Sequence, residues 1–184
     1  MLLVVTATAF EAALVDGAPV RTVVCGIGPV EAALATSRAI ADDPPAAILQ
    51  VGIAGARTLP HASIVLGSEA VYCDVVDPLA RIPRVERVEP DAELLAAARR
   101  ALPDAQVLPI GTTGRVGGGV GCEVEAMEGF GVLRAAALAG VAALELRAVS
   151  NPVGETDRGL WRVEDALEAL RGALPLLLEV LVDA

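Results

Sequence analysis

Side chains capable of acid–base chemistry follow the apolar runs of this sequence at several points. Glu11 comes just after the first run, and three further acids cluster later in the chain: Glu123, Glu125 and Glu128. Such carboxylates can orient or deprotonate water, and an asparagine such as Asn151 can donate and accept at one place. Each also has a plain structural interpretation, as a solvated acid, an acid favoured at a helix start or an Asn-Pro turn. Taken singly, none of them names a reaction.

Other reactive residue types are scarce, which excludes several kinds of chemistry. All 14 basic residues are arginine, so the chain has no lysine for a Schiff base or a Walker-A phosphate site. His61 is the single histidine, which excludes zinc sites built on paired histidines. Cys25, Cys73 and Cys122 lack Cys-x-x-Cys spacing and predict reduced thiols in a cytosolic protein. We expect neither a metal nor another cofactor.

The composition argues against nucleic acid and membranes as partners. A formal net charge of -10 would repel a polyanion, and no basic run offsets it. The apolar residues 1–5 have no preceding positive charge, so a signal peptide is not predicted. The apolar stretch 170–182 is too short and too polar to span a bilayer. The sequence predicts a cytoplasmic protein with one domain over residues 1–184.

The elements that must position the candidate residues alternate between apolar strands and helical patterns. The predicted strands cover residues 2–7, 20–25, 46–51, 68–74, 107–112 and 141–149, and the residues from Gly52 to Gly55 should close the third. The predicted helices cover residues 30–41, 91–102, 125–138 and 160–182, and Pro175 should kink or split the last. This alternation predicts an α/β fold, a three-layer sandwich around a central mixed, mostly parallel sheet. The Pro-rich residues 77–90 are the expected mobile loop.

Ligands of such a sheet bind outside the carboxyl ends of its strands, so the residues after each strand are the candidate site. The segment Gly26-Ile27-Gly28 comes close to a dinucleotide fingerprint but has Glu31 in place of the third glycine. A tight turn into a helix is therefore the favoured interpretation. Met127 and Phe130 have core packing as their default role.

Taken together, these segments resemble the purine nucleoside phosphorylase and nucleosidase superfamily from end to end. The matching segments are residues 6–11, 25–33, 51–56, 67–74, 125–130 and 146–151. Within it, Met127-Glu128-Gly129 and the 150–154 loop followed by Trp161 are most similar to the futalosine hydrolases, nucleosidases of the alternative menaquinone pathway. The resemblance implies a nucleoside phosphorylase-like fold, a small-molecule nucleoside substrate and a homo-oligomer, a dimer or higher, whose sites are completed across the interface.

The resemblance also implies roles for individual residues. Glu128 would hold the ribose hydroxyls while Met127 packs against the sugar, and Glu11 would position and deprotonate the attacking water. Asn151 stands where adenine-specific relatives have an aspartate that protonates the base at N7. The remaining substrate contacts that the resemblance implies are Ile53, Gly55, Val116, Gly117 and Phe130, and the loop 115–120 lies where relatives hold the base.

The asparagine at position 151 favours a 6-oxopurine over adenine as the leaving group. Hypoxanthine presents a carbonyl acceptor at C6, which a carboxylate would repel, whereas a carboxamide can donate its NH2 to O6 and turn its oxygen to a protonated N7. A site built for one pattern leaves buried polar groups unpaired with the other. Because Asn151 cannot supply a proton, the proton for N7 must come from water or a loop acid, and Asp157 is the nearest candidate.

Phosphorolysis and simple binding remain open as alternatives. Phosphorylases that resemble this chain place an arginine at the position of Gln50 to bind phosphate, and without that charge a phosphate dianion would be poorly held. Water is therefore the favoured nucleophile, although Arg57 is close in sequence. A non-catalytic nucleoside-binding protein would keep the fold and release no base.

Overall fold

Strands and helices alternate along the chain in the computed structural model, which describes residues 1–76, 79, 81, 83–119 and 121–182. The strands are β1 (Leu2–Thr6), β2 (Arg21–Val24), β3 (Ala47–Ala56), β4 (Ile64–Tyr72), β5 (Arg87–Val88), β6 (Gln106–Thr112), β7 (Val124–Ala126) and β8 (Ala142–Pro152). The helices are α1 (Ala9–Ala12), α2 (Pro29–Asp42), α3 (Ala92–Ala101), α4 (Gly129–Ala139) and α5 (Val163–Leu181). Short 3-10 helices cover Ala13–Val15 and Arg158–Leu160.

The strands form one mixed sheet, part of which closes on itself. β2, β1, β3 and β8 are successive parallel neighbours. β8 then pairs antiparallel with β4, β4 and β6 are parallel, β6 and β7 are parallel, and β7 returns antiparallel to β3. β5 extends the edge beyond β4. The predicted mixed sheet is confirmed, and the closure adds a ring of five strands, β3, β8, β4, β6 and β7.

Successive residues of the central strands face two different helical layers. Leu2 and Val4 pack with apolar residues of α3 and α5, whereas Leu3 and Val5 pack with those of α2 and α4. Both faces of the sheet are therefore covered, which explains why β1 reads as an unbroken apolar run rather than an alternating one. A third apolar cluster lies among the five ring strands: Ala54, Ala56, Val65, Ile110, Val124, Ala126 and Val149.

The predicted helix over residues 125–138 is wrong at its start. Residues 124–126 form β7, and α4 begins only at Gly129. Glu125 pairs with Gly55 of β3 and with Gly111 of β6, so pairing with two strands distant in sequence overrides local helix propensity. Glu125 and Glu128 therefore do not owe their position to a shared helix start.

Two further expectations are corrected. β3 does not close at Gly52 to Gly55 but continues to Ala56, because β8 pairs with it throughout and accommodates an irregularity between Ala54 and Gly55. α5 passes through Pro175 without dividing, so the split is wrong, while a kink at Pro175 stays a prediction. Of the expected loop 77–90, residues 77, 78, 80 and 82 lie outside the described residues, and Arg87–Val88 forms β5. No helix in the described part of the chain combines the length and apolarity needed to cross a membrane.

Candidate active site

A cavity of about 270 Å³ opens at the carboxyl ends of β1, β3, β7 and β8. Its polar walls carry five ionisable side chains and one amide: Glu11, Glu125, Glu128, Arg147, Arg158 and Asn151. Its apolar walls include Phe10, Ile27, Ile53, Val116, Met127, Trp161, Val163 and Leu167. The sheet edge that the strand order predicts as the ligand edge therefore holds a pocket with charged and apolar walls.

Glu11 is buried and fixed in orientation by three donors. It is the third residue of α1, and a reciprocal capping box with Thr8 holds it: its Oε2 accepts from the Thr8 amide at 2.9 Å and from the Thr8 hydroxyl at 2.8 Å. Its Oε1 accepts from the Ile53 amide at 3.1 Å. A carboxylate oxygen has two acceptor positions, so Oε1 keeps one for a further donor. Glu11 is 5 % exposed, and the remaining acceptor position of its Oε1 opens into the cavity.

Arg147 lies between two buried carboxylates at the floor of the cavity. Its Nε donates to Glu145 Oε1 at 2.8 Å, its Nη2 to Glu128 Oε2 at 3.2 Å and its Nη1 to the Ile53 carbonyl at 3.2 Å. Burial alone would lower the pKa of Arg147, but the carboxylates of Glu145 and Glu128 raise it, so the guanidinium stays charged. Gly52 leaves the space that this guanidinium and the Glu11 carboxylate share, since a Cβ there would contact Arg147 Nη1.

Glu128 keeps acceptor capacity on both of its oxygens. Its Oε1 accepts from the Gly28 amide at 3.2 Å and its Oε2 from Arg147, which leaves one acceptor position on each. A carboxylate with one open position on each oxygen can receive two neighbouring hydroxyls, as a sugar diol presents them.

Glu145 is fully buried, and only one of its two carboxylate oxygens accepts a hydrogen bond within the described structure. Its Oε2 has no hydrogen-bond partner within the described structure. Burial raises the pKa of Glu145, while the Arg147 guanidinium opposes that rise. The Glu145 carboxylate packs closely against Gly129, the first residue of α4. A Cβ on Gly129 would collide with both carboxylate oxygens.

Gly129→Ala should therefore destabilise the protein although alanine is the better helix former. The added methyl must displace the Glu145 carboxylate, at a cost of about 1–3 kcal/mol in the free energy of unfolding. Gly172→Ala in α5 is the matched control, since nothing lies within 4 Å of its Cβ position, and it should stabilise by about 0.5–1 kcal/mol. Urea unfolding of both variants measures the difference, and equal stabilisation would contradict the packing described for Glu145.

Asn151 presents one donor and one acceptor to the cavity. Its Nδ2 donates to the Pro152 carbonyl at 2.9 Å, and its Oδ1 accepts from the Ser150 hydroxyl at 2.8 Å. These two contacts fix which end of the amide is nitrogen, because a flipped amide would set oxygen against the Pro152 carbonyl. One N–H and one oxygen lone pair remain open.

The loop between β6 and β7 is held by acids and by Arg57. Glu125 accepts from the amides of Gly117 at 2.6 Å and Gly119 at 2.5 Å. Arg57 donates to the carbonyls of Cys122 at 2.8 Å and Gly119 at 3.0 Å. Arg57 therefore fastens this loop and does not line the cavity.

The family of this chain follows from comparison with known proteins. The sequence profile of the Phosphorylase superfamily matches residues 5–184. The chain belongs to the Phosphorylase superfamily. The family resemblance predicted from the sequence is thereby confirmed at superfamily level.

Among curated proteins, the chain is similar to futalosine hydrolases over part of its length. It is 61% identical over 61 residues to that of Streptomyces coelicolor, covering 33% of this chain and 26% of the relative. It is 47% identical over 58 residues to that of Thermus thermophilus, covering 32% and 26%. The matched segment thus spans about a quarter of the length of these curated relatives.

Solved structures resemble the fold over nearly the whole chain. A mutant futalosine hydrolase of Helicobacter pylori is 17% identical, with a TM-score of 0.87 over 97% of this chain and 98% of that one. A methylthioadenosine/S-adenosylhomocysteine nucleosidase of Colwellia psychrerythraea in complex with adenine is 22% identical, with a TM-score of 0.86 over 98% and 95%. At these identities the likeness shows the fold of the superfamily, which confirms the predicted nucleoside phosphorylase-like α/β architecture.

The structure brings most of the residues that the sequence singled out to one cavity. Seven line it: Glu11, Ile53, Gly55, Val116, Met127, Glu128 and Asn151. Three others do not. Gly117 donates its amide to Glu125, the Phe130 ring stacks on Tyr72 at 5.0 Å, and Asp157 is exposed and accepts from the Gly159 amide at 2.9 Å. Val120, the end of the predicted base-holding loop, lies outside the described residues.

Sequence reasoning assigned no role to Arg147 or Arg158 and gave Glu125 only as one of several candidate acids, although all three line the cavity. For Arg147 and its partner Glu145 a signal was present, because both interrupt an apolar run that reads as a strand buried on both faces. Charges in such a strand must be paired. Arg158 lies in an irregular segment after β8, where no periodicity distinguishes a cavity-facing side chain from a solvated one.

The cysteines are poorly suited to nucleophilic catalysis. All three thiols are free. Burial raises the pKa of Cys25 to about 12, with a further contribution from the Glu128 carboxylate, and burial raises that of Cys73 to about 11. Thiols with such pKa values carry little thiolate near neutral pH. The chemistry of the cavity therefore rests on its carboxylates and its amide.

Proposed function

We propose that this chain is a nucleosidase that hydrolyses the N-glycosidic bond of futalosine, releasing hypoxanthine and the dehypoxanthinyl sugar. The observation that carries the proposal is the convergence of Glu11, Glu128 and Asn151 on one cavity, each with open hydrogen-bonding positions. The curated futalosine hydrolases that match part of the chain support the same substrate. Futalosine hydrolases act in the alternative menaquinone pathway, where this chain would belong as a cytoplasmic enzyme.

In the proposed reaction water attacks C1′ of the ribose while the bond from C1′ to N9 breaks. The open position on Glu11 Oε1 orients the water and takes its proton, and the bonding electrons leave with the purine. The ribose develops positive charge as in other glycoside hydrolyses. The buried carboxylates of Glu11 and Glu128 are arranged to stabilise that charge, and Arg147 keeps their geometry fixed.

The purine leaves as a neutral base once a proton reaches N7. Asn151 donates its open N–H to O6 and accepts from the protonated N7, which matches its one open donor and one open acceptor. Asn151 cannot itself supply that proton. A role for Asp157 remains a prediction, and because its carboxylate caps Gly159 outside the cavity lining, we assign the N7 proton to solvent water.

Hydrolysis is favoured over phosphorolysis by the state of the nearby cations. Gln50 is completely buried and does not line the cavity, and Arg57 lies outside the cavity lining and donates to two loop carbonyls. Arg147 is already held by two carboxylates. Among the described residues that line the cavity, this leaves Arg158 as the one cation with no carboxylate partner that a phosphate dianion could meet.

Base release from futalosine, inosine and methylthioadenosine, each with and without phosphate, tests the proposal. Chromatography should show hypoxanthine from futalosine at a rate independent of phosphate, and little or no adenine from methylthioadenosine. A rate that requires phosphate would indicate a phosphorylase. No base from any nucleoside would indicate a binding protein.

Asn151→Asp should shift the preference from 6-oxopurine toward 6-aminopurine nucleosides. The carboxylate faces the O6 lone pairs of hypoxanthine and loses the N–H donor, a penalty of about 1–3 kcal/mol, or roughly 5–150-fold in kcat/KM. Competition between futalosine and methylthioadenosine gives the ratio directly, and thermal unfolding checks that the variant is folded. An unchanged ratio would remove Asn151 from base recognition.

A homo-oligomer is part of the proposal. Several large apolar side chains are exposed in the single chain, including Phe10 at 79% and Val30 and Leu34 at 64% each. Phe10 and Ile27 also line the cavity. A second copy packed on this face would cover them and complete the site, as the family resemblance implies, and sedimentation velocity measures the assembly.

A further inference from the structure

Two guanidinium groups line the cavity within the described residues, and only one of them has its donors open. Arg147 is buried and engaged by Glu145, Glu128 and a carbonyl. Arg158 is exposed, lines the cavity and forms no ion pair with any described carboxylate. In a chain with a net charge of -10, an open cation at a cavity wall is a specific attraction for an anionic ligand.

Arg158 lies over one face of an aromatic ring of fixed orientation. Its Cζ lies 5.6 Å from the centre of the Trp161 ring. The indole is half-buried, and its Nε1 donates to the Glu155 carbonyl at 3.0 Å. Arginine presents a planar fork to a carboxylate, while an indole face can stack on a second aromatic ring.

The turn that carries this pair is tied to the base-recognition residue. Asp157 caps the 3-10 helix Arg158–Leu160 through the Gly159 amide. Two residues after the helix, the Arg162 amide donates to the Ser150 carbonyl at 2.7 Å, directly beside Asn151. The Arg158–Trp161 wall is thus held against the same strand end that presents the amide.

The cavity that Arg158 and Trp161 line also has apolar walls. Val163 and Leu167 of α5 line it, and so does Ile27. Apolar walls with one aromatic face and one cation suit a group that is flat and apolar over most of its surface and anionic at one end. An aryl carboxylate has that chemistry.

We propose that Arg158 and Trp161 form the subsite for the aryl carboxylate of the substrate, with Arg158 pairing with the carboxylate and Trp161 packing on the ring. The proposal rests on the proposed function, because futalosine carries a benzoate on its arm. It makes Arg158 a specificity residue for the part of the substrate that does not react. Its contribution should appear mainly in KM, since that contact is the same before and during bond cleavage.

The test compares futalosine with its neutral methyl ester in the wild-type protein, Arg158→Gln and a matched control. Arg162→Gln is the control, because Arg162 is an exposed neighbour paired with Asp165 at 2.6 Å and lies outside the cavity lining. Wild type and Arg162→Gln should prefer the acid over the ester by about tenfold in kcat/KM. Arg158→Gln should lose that preference through a higher KM for the acid, with the ester unaffected.

The outcomes distinguish a failure of the proposed subsite from a failure of the proposed function. If the wild type releases hypoxanthine from futalosine and Arg158→Gln keeps the acid-to-ester preference, the subsite is overturned while the function stands. An equal loss on both substrates would likewise overturn it, since that result indicates a structural role. If the wild type releases no hypoxanthine from futalosine, the proposed function fails and the subsite fails with it. Trp161→Leu should raise KM for acid and ester alike, which distinguishes ring packing from charge pairing.

Discussion

Glu11→Gln should lower turnover of futalosine about 10²–10⁴-fold, the range typical of general-base assistance. The amide cannot take a proton from water, and one of its two ends can no longer accept a hydrogen bond. The effect should fall on kcat rather than KM, because Glu11 is assigned to the water and not to the nucleoside.

The control for this substitution is Glu93→Gln, which changes an exposed acid in the first turn of α3. It should leave turnover unchanged. Circular dichroism should show both variants folded, since the shape of the side chain is kept and α1 is short. Unchanged turnover in folded Glu11→Gln would remove Glu11 from the mechanism.

Arg147→Met should have the largest effect on stability. It leaves the buried carboxylates of Glu145 and Glu128 without their shared counter-charge, and removing one partner of a buried ion pair costs about 3–5 kcal/mol. The surface substitution Arg171→Met, which breaks an exposed pair with Glu168, should cost about 1 kcal/mol or less. Denaturant unfolding of both variants gives the comparison.

The loss of stability in Arg147→Met should also depend on pH, and the pKa of Glu145 determines the direction. Burial raises the pKa of Glu145 in the folded protein, so this group destabilises the fold as pH rises from its ordinary value through the raised one. Arg147 opposes that rise, and its removal raises the pKa further. The difference from wild type in the free energy of unfolding should therefore be smaller at about pH 5 than at about pH 7.

A double variant tests whether unpaired charge is the cause of the lost stability in Arg147→Met. Adding Glu145→Gln to Arg147→Met removes one of the two unpaired charges, so part of the lost stability should return. If the double variant loses as much stability as the two single variants together, the cost of Arg147→Met comes from lost packing and not from the unpaired charges of Glu145 and Glu128.

The fold class could be predicted from the sequence because its signals are local. β1 is an unbroken apolar run, which indicates a strand covered on both faces, and Asp91 caps α3 through the amides of Glu93 and Leu94 as its position before a helical pattern predicts. Glu11 and Asn151 could be singled out because Glu11 comes just after β1 and Asn151 lies at the carboxyl end of β8. Their meeting in one cavity then follows from the parallel order of β1, β3 and β8.

The features that escaped prediction depend on contacts between distant residues. β7 has three residues, and only its pairing with β3 and β6 distinguishes it from the start of a helix. The closed ring of strands depends on β7, so it could not be predicted from the sequence for the same reason. Phe130 follows the Met-Glu pair in sequence, yet α4 turns its ring onto Tyr72 and away from the cavity. Sequence proximity to a functional residue thus did not decide which side chains reach the site.

The central claim is that one carboxylate holds the pentose while one amide reads the purine edge, and a crystal structure with bound hypoxanthine tests it most directly. We predict O6 within hydrogen-bond distance of Asn151 Nδ2 and N7 within that distance of Oδ1, with the open positions of Glu128 facing the place of the sugar. Hypoxanthine bound with that edge turned away from Asn151, or bound elsewhere on the protein, would contradict the account.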